Sequence, residues 1–254
     1  HKFNQSIEDW SVGNVTNMGL MFAYAYNFNQ ALGAWDVSRV VDMRSMFQHA
    51  TSFNQPIGDW NVGAVANMNS MFCNAIRFNQ PIGSWNVSNV FTMYSMFSSA
   101  TSFNQAIGGW NVTKLINMGY MFANNSCFNQ PIGDWNVSCV VNMDSTFYNA
   151  FCFNQPIGMW DVGNVGSMCD MFFGATCFNQ PIGHWDVGKV IDMQGMFGNA
   201  GSFNQPIDRW DVGKVTCFTS MFSGAASFNQ SLYGWNAHSS LNMDGMWYHD
   251  SSRL

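Results

Sequence analysis

The sequence predicts a repeat solenoid: a stack of ten 25-residue coils, each a short strand or extended segment plus a short α or 3-10 helix. Three observations predict it. Phe-Asn-Gln returns at Phe3, Phe28, Phe53, Phe78, Phe103, Phe128, Phe153, Phe178, Phe203 and Phe228, always 25 residues apart. A Trp stands seven residues after each, from Trp10 to Trp235. With that Phe as position 1, nine of the 19 Met fall at position 16 and nine at position 19, leaving only Met159 outside the pattern. A unit this small cannot bury its apolar face alone, but a coil laid on an identical coil can. At about 4.8 Å per coil, ten coils make a rod or shallow arc roughly 45 to 50 Å long. The strict period overrides the length prior of one or two globular domains for 254 residues. We expect one solenoid domain over 1–254, with the copies at 3–252. The first copy departs from the pattern at Ser6 and Glu8, the last at Ser231, Tyr233, Ala237, Ser240, Trp247 and Asp250, as capping coils do.

Within the repeat, Phe-Asn-Gln-Pro-Ile reads as a short strand or extended corner. Pro occupies position 4 in six copies, so that amide is not needed in a ladder. Gly at position 6 turns the chain in seven copies, and Trp and Val at positions 8 and 10 add two side chains to the core. Positions 13, 16, 19, 20 and 23, typically Val, Met, Met, Phe and Ala, have the spacing of one helical face. Small polar residues at positions 11 and 15 would cap it, which predicts a short helix over positions 13 to 23. Such a helix is too short to persist alone and would take its stability from stacking. Phe at position 1 would then fill one core slot in every coil, while Asn and Gln, which both donate and accept, bond to the coils above and below.

Composition excludes several function classes. Charged residues are 9% of the chain and the formal net charge is −6, with nine Lys plus Arg scattered singly. That leaves no basic stripe to follow a phosphate backbone, so no nucleic-acid partner is expected. No apolar run is long enough to span a bilayer. The chain opens at His1 in mid-pattern, which reads as an excerpt or processed product whose targeting information was removed.

Catalysis needs a few unique converging groups, whereas a solenoid repeats one group in a line. The only Glu is Glu8, and His1, His49, His184, His238 and His249 form no cluster by position. No metal-protease, phosphate-loop or nucleophile-elbow motif occurs, so neither an enzyme nor a cofactor is expected. Asp36, Asp161, Asp186 and Asp211 at position 9, with Asp42 and Asp192 at position 15, could suggest a calcium ladder. Asn, Ser or Thr replaces Asp in most coils, which favours capping over a metal cage. Cys127, Cys152 and Cys177 share position 25 of consecutive coils, at a separation one disulfide would accept. The alternative is that Cys merely replaces the Ser common there. Cys73, Cys139, Cys169 and Cys217 occupy four different positions. Asn4, Asn14, Asn86, Asn111, Asn124, Asn136 and Asn229 begin glycosylation sequons, several of which the repeat itself generates.

The variation that carries information lies opposite the core face, at positions 14, 17, 18 and 21. In copies four to seven these positions hold Phe91, Tyr94, Ile116, Tyr120, Val141, Tyr148 and Phe173. A contiguous exposed apolar patch marks a partner-binding surface. The alternative is that position 14 is half-buried between coils and only the Tyr and Phe tips show.

The strings SFNQPIGDWNVGAVANMNSMF and CFNQPIGDWNVSCVVNMDSTF resemble the 25/26-residue repeat of bacterial surface lipoproteins related to BspA-like leucine-rich repeats, also found in protist proteins. The resemblance covers residues 3–252. It implies a leucine-rich-repeat-like solenoid in which Met, Phe and Trp fill the slots of Leu, and it implies surface display but no activity. The expected function is therefore a non-enzymatic, extracellular or cell-surface module, for adhesion or recognition, that presents variable positions to a protein or other cell-surface macromolecule. The alternative is a structural or scaffolding subunit docked permanently in a larger assembly.

Overall fold

Backbone angles at two repeat positions decide the path of every coil. The computed structural model describes residues 2–236 and 242–247. Positions 18 and 22 have φ between 51° and 69° in each described copy, as at Ser145 and Asn149. A right-handed helix cannot pass through such residues. The helix expected over positions 13 to 23 accordingly does not form, and none of the described residues is helical.

A run of overlapping turns takes its place. In the second coil the N–H groups of Met46, Gln48 and Ala50 donate back to the carbonyls of Met43, Ser45 and Phe47. The alternate N–H groups, those of Met43, Ser45, Phe47 and His49, donate across to Asn67, Asn69, Met71 and Cys73 of the next coil at 2.7 to 3.0 Å. Turns over positions 16–19 and 20–23 have positive φ at their third residue, the type II arrangement, which favours Gly or Asn there. Position 22 is Asn or Gly in Asn74, Asn124, Asn149, Gly174, Asn199 and Gly224, which is where the sequence carries the turn. Two type II turns four residues apart reproduce a helical spacing of inward side chains. Val40, Met43, Met46, Phe47 and Ala50 are all fully buried, so the core assignment holds although the element does not.

The strand-like contact is also displaced. Position 15 forms isolated parallel bridges from Asn17↔Asp42 through Cys217↔Asn242, inside the segment expected to be helical. Phe-Asn-Gln-Pro-Ile is extended without bridges. It is tied to its neighbours through side chains: the Asn29 N–H donates to Asn4 Oδ1 at 2.9 Å, and Gln30 Nε2 to the Asn4 carbonyl at 3.0 Å. The same bonds recur down the stack, as in Asn154 to Asn129 and Gln155 to Asn129. Each buried Trp donates its indole N–H to the position 5 carbonyl one coil back, Trp135 to Ile107 at 3.2 Å. Pro at position 4 is tolerated because this side of the coil uses side-chain donors.

Three aromatic files fill the interior. Phe47 and Phe53 stack at 3.9 Å, Phe53 and Phe78 at 6.0 Å, and Trp60 and Trp85 at 6.5 Å. The hydrophobic core runs without a break from Ile7 to Met246. Gly at position 6 is required by close approach: a Cβ on Gly133 would stand 2.3 Å from the Pro156 carbonyl oxygen. Two polar departures lie inside the core. Asn125 Nδ2 donates to the Phe103 carbonyl, and its Oδ1 accepts from the N–H of Phe128. Thr146 donates to the carbonyls of Met118 and Met143. Of the expected cap residues, Ala237, Ser240 and Asp250 lie outside the described residues, as do His1, His238 and His249; Trp247 stacks on Phe222 at 4.9 Å.

Candidate partner-binding face

The turns over positions 16–19 and 20–23 place positions 17 and 18 on one corner of the coil and 21 and 22 on the next. Repeated in each coil, these corners form two parallel ridges, with the position 14 row running ahead of them. The face expected as one side of a helix is thus three rows. Phe91, Ile116 and Val141 are exposed and adjacent, joined by N–H to carbonyl bonds of 2.9 Å from Ile116 to Phe91 and from Val141 to Ile116. Their side chains are exposed, not half-buried between coils. The row continues to the exposed Val41 and Ile191, which share position 14 and were recognisable by it.

On the first ridge the rings of Tyr94 and Tyr120 meet at 5.4 Å, tilted by 56°. On the second, Tyr148 and Phe173 are half-buried and stack at 5.1 Å. Phe173 rests on the following coil, its Cδ2 lying 2.5 Å from where a Gly198 Cβ would stand and 3.6 Å from a Gly195 Cβ. Among the described residues no ring contact links Phe91 to either tyrosine ridge, so the structure yields one apolar row and two aromatic pairs.

Carboxylates lie among these pairs, and reasoning from aromatic content alone missed them. Asp144 Oδ1 accepts from the Cys169 N–H at 3.0 Å and from the Ser167 hydroxyl, and Oδ2 accepts from Asn142 Nδ2 at 2.9 Å. Cys169 Sγ donates to Asp170 Oδ2 at 3.6 Å. Asp192 Oδ1 accepts from the Gln194 N–H at 2.8 Å. Burial raises the Asp170 carboxyl above the ordinary carboxylate range; the Cys169 hydrogen bond opposes this, and the charges of Asp192 and Asp144 add to it. Burial, then the same three Asp, push the Cys169 thiol up to about 12, so it stays protonated at neutral pH. Burial and then Tyr120 raise the Tyr94 hydroxyl, with Asp144 contributing. The only ion pair among the described residues is Arg44 to Asp42 at 3.4 Å, so no cation answers these charges. The available clue was that Asp144 and Asp170 occupy the same variable positions as Tyr94 and Tyr120.

The remaining candidates have local roles. Asp36, Asp161, Asp186 and Asp211 each accept the N–H two residues on, closing a turn, so the expected capping carboxylates cap turns instead of helices. Asp42 and Asp192 do the same at position 15. Among the described residues no three His, Cys, Asp or Glu are grouped to hold a metal. Cys127, Cys152 and Cys177 are exposed free thiols. The Cys177 N–H donates to the Phe151 carbonyl, beside Cys152, whereas that of Cys127 donates to Asn125 Oδ1. Asn86, Asn111 and Asn136 are exposed and accept the hydroxyls of Ser88, Thr113 and Ser138.

A family model described as Mycoplasma protein of unknown function, DUF285, matches residues 1–106, 82–171 and 151–253. The chain belongs to that family. No curated protein matches it. Among solved structures, a leucine-rich cell surface protein from Faecalibacterium prausnitzii is similar at 10% identity and a TM-score of 0.28, over 83% of this chain and 77% of that one. The complex of TLR13 with ssRNA13 follows at 10% identity and a TM-score of 0.20, over 80% of this chain and 35% of that one. Likenesses this distant carry no argument.

In this DUF285 chain no described helix is long and apolar enough to cross a membrane. A cleft of about 230 Å³ lined by Pro181, Gly183, His184, Pro206, Asp208 and Arg209 lies at the position 4 to 7 corner. None of its lining residues belongs to the three rows.

Proposed function

We propose that the chain is a non-enzymatic, extracellular or cell-surface repeat protein that binds another macromolecule through the turn ridges of coils four to seven. The observation that carries this reading is the pair of ring contacts, Tyr94 with Tyr120 and Tyr148 with Phe173, at positions that hold small or polar residues in most other coils. Tyr94 and Tyr120 are exposed, Tyr148 and Phe173 half-buried, and Tyr and Phe are effective contact anchors. The ridges stand on a hydrogen-bonded frame repeated in every coil, so little ordering cost accompanies binding. The resemblance to BspA-like surface repeats supports display outside the cell. Replacing Tyr120, Tyr148 and Phe173 with Ser is expected to keep the chain folded, at a melting temperature lowered by the lost contact of Phe173 with the following coil, and to reduce retention of the labelled chain on source-cell surfaces; undiminished retention rejects the assignment.

A further inference from the structure

From the charges bordering the aromatic pairs we infer that this face takes a cationic, arginine- or lysine-rich extended peptide segment. The inference rests on the proposed binding function and adds the chemistry of the partner. Asp144 belongs to the coil between those of Tyr120 and Asp170, and Asp192 to the coil after Asp170. Asp170 borders the Phe173 ring: Asp170 Oδ1 and Phe173 Cδ2 both approach the point where a Gly195 Cβ would stand. Two rings and then two carboxylates, Tyr94, Tyr120, Asp144 and Asp170, thus follow one another along the first ridge, with Asp192 one coil further on. The 56° tilt between Tyr94 and Tyr120 keeps the two rings from covering each other face to face.

An apolar partner would strand these carboxylates on docking, at a cost that grows with their desolvation. A phosphate backbone or an anionic membrane would be repelled. A guanidinium satisfies both surface types, since it pairs with carboxylates through its planar fork and stacks on aromatic rings. No cation of the chain competes for the site, as Arg44 to Asp42 is the only ion pair among the described residues. Burial first, and then the charges of Asp192 and Asp144, raise the Asp170 carboxyl. Four coil intervals span about 19 Å, the length of roughly six extended residues.

The test measures binding of fluorescein-labelled hexa-arginine by anisotropy in low-salt buffer. Two variants each remove three charges. D144N/D170N/D192N empties the face, whereas D36N/D186N/D211N neutralises carboxylates elsewhere, at positions where turn-closing Asp can be exchanged for the Asn found in other coils, as in Asn61. The expected result is a Kd raised about tenfold or more in the first variant and little changed in the second, with the difference shrinking as salt screens the charges. Equal weakening in both variants reduces the effect to net charge and overturns the inference. So does absence of hexa-arginine binding, or stronger binding of hexa-glutamate. Should the first variant fail to fold, Y94S/Y120S takes its place, with the same tenfold loss expected and unchanged affinity overturning the inference. Failure here leaves the cell-surface retention result standing, because that experiment makes no assumption about the partner's charge.

Discussion

Trp10 and Trp135 occupy the same repeat position in the first and sixth coils, yet one is 54% exposed and the other 3%. Phe3 and Phe128 differ in the same way, at 40% and 0%. Nothing in either coil's own sequence makes the difference. The inner coil has a neighbour on both sides, and the neighbour provides the lid, the ring to stack on and the carbonyl for the indole. Burial in this molecule is a property of the interface between coils, not of the coil, as expected of a nearest-neighbour stack. The turn ridges are less uniform: Tyr120 is exposed, whereas Ser145 at the same repeat position one coil on is buried.

The contrast can be pressed hardest at the tryptophans. Trp135→Ala is expected to cost about 3 to 5 kcal/mol from the cavity it leaves, together with loss of its bond to the Ile107 carbonyl. Trp10→Ala, made on the open side, is expected to cost much less, and urea melts of the two variants measure the gap. A smaller but cleaner comparison uses two adjacent glycine positions. Gly133→Ala forces a Cβ toward the Pro156 carbonyl, whereas nothing lies within 4 Å of a Cβ on Gly109. The first should lower the melting temperature by several degrees, as expected for about 1 to 3 kcal/mol, and the second should leave it unmoved.

The smallest expected effect concerns the ridges and pH. The Asp170 carboxyl is raised in the folded chain, first by burial, so the folded state binds its proton more readily than the unfolded state does. Its ionisation therefore opposes folding above the folded-state value, and stability is regained as pH falls through it. Relative to Asp170→Asn, the wild-type chain should gain melting temperature as pH is lowered from neutral toward the ordinary carboxylate range. Cys169, Asp192 and Asp144 share that environment, and parallel melting profiles for the two proteins would show that it does not act on Asp170 in this way.

The core was legible in the sequence almost residue by residue, because the same slots recur and each of Val40, Met43, Met46, Phe47 and Ala50 is repeated at its place in other copies. The element that carries them was not. Two turns four residues apart give the same inward spacing as a helix, and only positive φ at Ser45 and His49 separates the two cases. Asn and Gly at position 22 in other copies were the visible trace of it. The candidate face was legible as a set of positions, but its division into a row and two ridges follows from those turns. Asp144 and Asp170 stand out only in the structure, because a lone acid on an outward position is ordinarily a solvated side chain, and their placement beside Tyr94, Tyr120 and Phe173 gives them weight.

The two sides of each coil bond to their neighbours in opposite directions. On the turn side, N–H groups such as those of Met43 and Ser45 point toward the following coil; on the other, the Asn29 N–H, Gln30 Nε2 and Trp35 Nε1 point toward the preceding one. In an α-helix all peptide dipoles align and partial charge accumulates at the termini. Here the two sets point in opposite directions, so each offsets part of the other along the axis. A stack lengthened by whole repeats therefore charges its tips less than a helix of aligned peptides would.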